Sequence, residues 1–328
     1  MSISASQIPS DRRDISAFAG VAALVAFAFC AAVAVPLATY TTSLALFGLA
    51  HVAYEMRYVA WRFAPRLRGA VLPAVAIAIF IAILARGLAI YGFIPRVTGT
   101  AIELAAGAIL AVIPVLAMKR HRLAGLCIAL PFAAGAVFAP IETLLLLAVL
   151  HNLSPLAFIA DVMEPPRRRR ALALGFLVMV ALPLLIASGL PGDVMEDIGL
   201  LSPEATLFRA GRLDDNIGAY IPESFDTHPR VIDMFSAAVF AQCMHYIATI
   251  WLLPKIMREA PAQAYRPPSR YLFATLVAAA SLALVGFYAF DYGAARKIYA
   301  LIALVHAWLE IPVLILALDR RPFHPAST

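Results

Sequence analysis

The sequence predicts an all-α fold: a polytopic membrane helix bundle of about ten transmembrane helices with the N and C termini cytoplasmic. Three observations carry this reading. Hydrophobic residues make up 62% of the 328 positions and charged residues only 14%, against roughly a quarter charged in soluble domains, and the mean hydropathy is +0.85. Apolar runs close to the ~20 residues needed to cross a ~30 Å hydrocarbon core recur about ten times. Basic residues collect on one side of those runs.

In chain order the runs are Ser16 to Ala38, Thr41 to Phe63, Gly69 to Gly92, Gly99 to Met118, Leu123 to Phe138, Ile141 to Met163, Ala171 to Leu190, Val231 to Pro254, Tyr271 to Phe290 and Ile298 to Leu318. The first is long, lacks a convincing cleavage site and feeds straight into the second, so it is read as a retained span and not a cleaved signal. With the N-terminus inside, 19 of the 26 Lys and Arg fall in cytoplasmic segments. These include Arg57, Arg62, Arg66 and Arg68, Lys119 to Arg122, Arg167 to Arg170, Lys255 to Arg270, and Arg320 with Arg321. Six lie outside (Arg96, Arg209, Arg212, Arg230, Arg296 and Lys297), and Arg86 lies within a span. Such a split is what the positive-inside rule describes. The net charge of +6 is therefore read as contact with anionic membrane lipids, and no nucleic-acid partner is called for.

Residues 1–328 form a single integral membrane domain, with 191–230 an external loop or cap. That segment is acidic in its first half (Asp193, Glu196, Asp197, Glu204). Leu200, Leu201, Leu207, Phe208, Tyr220 and Phe225 give it apolar side chains to bury over the bundle. Loops of such length are functional lids or linkers. Cys30, Cys127 and Cys243 lie in apolar spans without paired spacing, so no disulfide framework or zinc-finger pattern is predicted.

Four of the seven histidines, His51, His151, His245 and His306, sit inside apolar runs two, six, eight and ten. Those runs share one direction across the bilayer. Counted from the external side, the four lie about eight to fourteen residues in, a spread of roughly 9 Å at 1.5 Å per residue. Ionisable groups at bilayer depth are costly and are read as functional. Glu55 and Glu310 follow His51 and His306 by four residues, on the same helical face. Each can ligate a metal beside its imidazole or orient a neighbouring one. His121, His228 and His324 fall in basic, loop or tail segments and are read as solvated. A lone membrane histidine can simply hydrogen-bond across helices, but four at one depth point to a metal site. Asp161 is read as an interfacial counter-ion near the Arg167–Arg170 run, and Glu103, Glu142 and Arg86 as interfacial charges or a structural ion pair. Pro155 is expected to kink the sixth span and open a cavity there. Tyr54, Asn152, Gln242, Tyr246 and Trp308 are candidate pocket-lining residues.

Neutral imidazoles with carboxylates suit iron, zinc, copper or nickel, and a His-rich site with open positions is the arrangement non-haem iron uses with dioxygen. No HExxH signature points to zinc hydrolysis. The segments Gly48–Glu55, Val149–Asn152, Phe240–His245 and Leu304–Glu310 resemble the four histidine-bearing helices of the bacterial Brp/Blh-type β-carotene 15,15′-dioxygenases. Val52 and Glu55 stand where that family has Gly and Asp, and Thr249 where it has a further His. The resemblance implies a multi-helix protein of the bacterial inner membrane that binds iron through His51, His151, His245 and His306 and cleaves a carotenoid-like polyene with dioxygen. The expected function is thus a membrane non-haem iron oxygenase acting on a lipophilic small molecule. The alternatives are a haem-binding electron-transfer protein and a proton-coupled transporter using the same His and Glu residues.

Overall fold

The structure, a computed structural model, describes residues 11–64, 66–67, 69–118, 120–163, 165–259 and 269–318. The two chain ends read as cytoplasmic, His324, and Arg68, Lys119, Arg266, Arg320 and Arg321 lie outside the described residues. The described residues form helices and connections, with no strand among them. The elements are α1 (Asp11–Ala34), α2 (Pro36–Phe63), α3 (Val71–Ile90), α4 (Arg96–Ala117), α5 (Arg122–Phe138), α6 (Pro140–His151) and α7 (Ser154–Val162). Next, α8 (Pro165–Phe176) passes through a π turn, Leu177–Ala181, into α9 (Leu182–Ala187). The short α10 (Leu190–Asp197) and α11 (Asp214–Ile217) precede α12 (Val231–Ile247), which a second π turn, Ala248–Leu252, joins to α13 (Leu253–Glu259). The chain ends in α14 (Arg270–Phe290) and α15 (Tyr292–Leu318).

Six of these helical stretches are long and apolar enough to cross a membrane, and α6 with α7 makes a seventh if counted as one bent span. The molecule is a membrane helix bundle. Prolines punctuate it as their missing N–H dictates: Pro36 and Pro140 open α2 and α6 at their first turns. Asn152 and Leu153 break the sixth run, with Pro155 in the first turn of α7 and a bend of 47° between the two halves. Enclosure varies among the rods. The best apolar window of Val231–Lys255 is 67% buried, that of Arg167–Ala187 only 11%, so α12 lies inside the bundle while α8 and α9 face its surroundings.

Two large apolar clusters organise the core. One gathers Leu37, Leu44 and Val52 of α2, Phe235, Phe240 and Met244 of α12, and Tyr288, Tyr292 and Tyr299 of α14 and α15. The other gathers Tyr58, Trp61 and Phe63 of α2, Ala78 and Leu104 of α3 and α4, Phe158 of α7, Leu253 of α13, and Trp308 and Val313 of α15. On α2 and α15 the changeover between clusters falls near the histidine, and beyond His245 the second cluster begins at Leu252 and Leu253. Close approach of α4 to α15 depends on Gly107, where an added Cβ would stand 2.1 Å from the Trp308 ring.

The 191–230 segment packs on the first cluster through Ala210, Leu213, Ile217 and Ile221, all buried. Ser202 N–H donates to the Ala34 carbonyl at the end of α1 (2.7 Å). The apolar side chains singled out in the sequence do not all go inward: Phe208 and Tyr220 are half-buried, but Leu200, Leu207 and Phe225 remain exposed. Arg230 latches the segment to α10 by two bonds to Asp193, at 2.6 and 3.0 Å. Gly189, with φ +85°, leaves room for that guanidinium. The bond from Arg230 holds the Asp193 carboxyl below its ordinary range. A depressed carboxylate stabilises the fold above its unfolded value and loses that contribution as pH falls through the folded one. Amide protection factors across 190–197 are therefore expected to drop on acidification below the usual carboxylate range. Asp193→Asn is expected to remove that pH dependence, as hydrogen exchange would report.

Candidate metal centre

His51, His151, His245 and His306 converge: one ring nitrogen from each can be chosen so that all four lie within 4.8 Å of one another. His306 Nε2 is 3.2 Å from His51 Nε2 and 3.1 Å from His151 Nε2. A neutral imidazole nitrogen is either a donor or an acceptor along one in-plane direction. Hydrogen bonding therefore accounts for at most one of the two contacts at His306 Nε2. Nitrogens bound to one metal at about 2.0–2.1 Å stand roughly 2.9–3.4 Å apart at cis or tetrahedral positions. The two separations at His306 Nε2 fit that.

Each imidazole is held by its own helix and its own packing. His51 stacks on Tyr246, with centroids 4.1 Å apart and planes at 24°, and its Nδ1 faces the Phe47 carbonyl at 3.4 Å. His245 is fully buried on the last turn of α12, directly before the π turn, and Thr249 there donates its hydroxyl to the His245 carbonyl (3.0 Å). His306 sits mid-way along α15. His151 is the last residue of α6, and 18% of its side chain remains accessible.

The two carboxylates pair across helices. Glu310 reaches His151 Nδ1 at 2.6 Å, and Glu55 Oε2 lies 3.4 Å from His245 Nε2. The first is a full hydrogen bond; the second is within ion-pair reach but off hydrogen-bond geometry. Glu310 thus acts on His151 as an orienting partner in the manner of carboxylate–histidine–metal sites. Both acids are almost completely buried. Glu55 Oε1 and Oε2, Glu310 Oε1, both nitrogens of His245 and His306 Nδ1 have no hydrogen-bond partner. Buried polar atoms are nearly always paired in native proteins. An imidazole offers one nitrogen to a given ion, so one nitrogen of His245 and the unpaired oxygens of Glu55 and Glu310 are the donors a cation could meet there, while His306 Nδ1 lies across its ring from the converging Nε2. Cys243 is buried but is not among the converging ligands.

The pocket candidates separate. Tyr246 lies on His51. Asn152 is buried beside His151 and donates to the Ala148 carbonyl at 3.1 Å. Gln242 accepts from Tyr220 and donates to Ser43 Oγ at 2.9 Å, one turn before His245 on α12. Tyr54 packs edge-on to Phe273 of α14, and Trp308 donates to Glu103 Oε1 at 3.2 Å. Those two point at neighbouring helices. Glu103 is fully buried and takes Arg86 in a bidentate ion pair at 2.5 and 2.8 Å. Asp161 pairs with Arg62 at 2.7 Å, so its charge is met from α2. His121 and His228 are exposed.

Sequence reasoning passed over Tyr299, which lies against Gly48 one turn from His51. Its position two turns before His306 on the same helical face was the available signal. No protein-family model, curated protein or solved structure matches the chain.

Proposed function

We propose that the chain is a membrane non-haem iron oxygenase that acts on a lipophilic, polyene-like substrate, a carotenoid being the leading choice. The observation that carries this is the convergence of four imidazole nitrogens within 4.8 Å of one another between two apolar clusters. His51, His151, His245 and His306 would hold the ion, with Glu310 orienting His151 and Glu55 facing His245. Four nitrogen donors without a thiolate favour iron, zinc or copper over soft-metal clusters; of these, iron and copper react with dioxygen, and iron is the choice the resemblance implies. A bound iron would supply electron transfer to dioxygen that closed-shell organic groups cannot.

The chain's own contribution is positioning and exclusion of water. Tyr246 fixes the plane of His51, Glu310 fixes that of His151, and the flanking apolar clusters keep the centre dry. Polyene cleavage would consume one dioxygen and one carbon–carbon double bond and yield two aldehydes. A haem fits less well. The ring pair with the widest spacing, His51 and His151 at 6.5 Å, has His306 Nε2 within 3.2 Å of both Nε2 atoms, where a macrocycle would have to lie. Ten crossings with both ends cytoplasmic, in a bacterial inner membrane, complete the proposal. The seven spans, the shorter apolar helices Ala19–Ala34 and Arg122–Phe138, and α2 with its Glu55, Arg57 and Arg62 add up to that number.

Detergent-solubilised protein is expected to hold one iron per chain and, with β-carotene and dioxygen, to release two retinal molecules per substrate. Elemental analysis and chromatography of products would read both. Protein without stoichiometric transition metal would end the metal reading. Metal-loaded protein inert toward several polyenes would end the substrate reading alone.

A further inference from the structure

Beneath the 191–230 segment, Arg296 enters the bundle one turn into α15 and stands half-buried without an acid. Among the described residues it forms no salt bridge. Its Nη1 donates to Asn216 Oδ1 at 2.9 Å, and its guanidinium carbon lies 5.7 Å from the centroid of Tyr40. Its electrostatic neighbours are the phenols of Tyr40, Tyr220, Tyr288 and Tyr292. Nearby acids are engaged elsewhere: Asp214 with Arg212, Asp215 with the Arg212 N–H, and Asp291 with the Ala294 N–H. A guanidinium withdrawn from water without a counter-ion is costly.

A second observation points the same way. Tyr288 is 1% and Tyr292 4% exposed, their rings are 5.2 Å apart, and neither hydroxyl has a hydrogen-bond partner. Two buried phenolic O–H groups without acceptors beside an unneutralised guanidinium form a donor set lacking its acceptor. We propose that Arg296, Tyr288 and Tyr292 form an oxyanion-binding site, separate from the histidine centre, for a carboxylate or phosphate group. Arg is the residue suited to such planar, bidentate recognition. Asn216 and Tyr220 come from the segment above, so an occupant would be covered by it. The site does not depend on the metal reading.

The test uses the full chain in nanodiscs of neutral phosphatidylcholine, with cis-parinaric acid, its methyl ester and inorganic phosphate as probes. The fluorescent acid is expected to bind saturably and the ester far more weakly. Arg296→Gln is expected to weaken the acid roughly tenfold to a hundredfold, the size of a lost charge-assisted bond, and to leave the ester unchanged. The Tyr288→Phe, Tyr292→Phe double variant is expected to weaken the acid less. Displacement of the acid by phosphate identifies a small-anion site, and resistance to phosphate with acid selectivity intact identifies a lipid-head site; either outcome supports the proposal. Absence of saturable binding of both anions to the unaltered protein overturns it, as does equal binding of acid and ester. Equal affinity for the acid in a folded Arg296→Gln protein does so too. Should that variant not fold, the acid, ester and phosphate comparison on the unaltered chain decides alone.

Discussion

Changing His306 to alanine is expected to abolish stoichiometric metal binding, with affinity lowered by more than about a hundredfold, because even outer-shell partners of metal sites are worth 10–100-fold. His306 is the hub of the centre: its Nε2 is the atom that approaches both His51 Nε2 and His151 Nε2, at 3.2 and 3.1 Å. Without it the two remaining nitrogens lose the neighbour that closes the cluster. Glu310→Gln is expected to act more gently, within about 10–100-fold, since it alters the group that orients His151 and leaves all four imidazoles in place. Calorimetric titration of metal-stripped protein would rank the two variants. Retention of full metal by His306→Ala would falsify the four-histidine centre.

Glu103→Ala is expected to destabilise the bundle by about 3 kcal/mol, the lower end of the cost of breaking a buried pair by removing one partner. The lower end applies because a third of the Arg86 side chain remains exposed, while Glu103 itself is fully buried. Removal of the carboxylate leaves the guanidinium of Arg86 and the indole N–H of Trp308 without their shared acceptor. Glu103→Gln keeps one acceptor oxygen and is expected to cost less. Replacing both partners with apolar residues, as in Arg86→Met with Glu103→Leu, is expected to recover most of the loss, because the desolvation cost of both charges disappears. Thermal unfolding in one detergent would compare the set. Because Trp308 lies two residues from His306, the single alanine variant is also expected to loosen the metal centre.

The helix content and the meeting of the four histidines were legible because both follow from one-dimensional quantities, apolar run length and residue count from a run's end. The break near His151 was legible through Pro155, whose ring cannot continue a helix. The partnering of the carboxylates was open in the sequence. Spacing of four puts Glu55 beneath His51 and Glu310 beneath His306, yet the structure turns Glu55 to His245 and Glu310 to His151. Rotation of helices about their axes sets that exchange, and no local pattern encodes it. Trp308 and Tyr54 were near neighbours of ligands in the chain, but residues two apart on a helix diverge by about 200°, which carries Trp308 to α4. The phenols around Arg296 lie on four separate segments of the chain, so no local pattern links them. Only their assembly beside one guanidinium gives them another meaning.

The break after His151 makes that imidazole unlike the other three. His51, His245 and His306 are anchored within continuous helix and are at most 3% exposed, whereas His151 terminates its rod and keeps 18% of its side chain accessible. The bend therefore leaves the four-histidine group one accessible edge, beside the exposed Leu146, Val149 and Leu150. On the function proposed above, that edge is where a lipophilic molecule would come nearest the four rings.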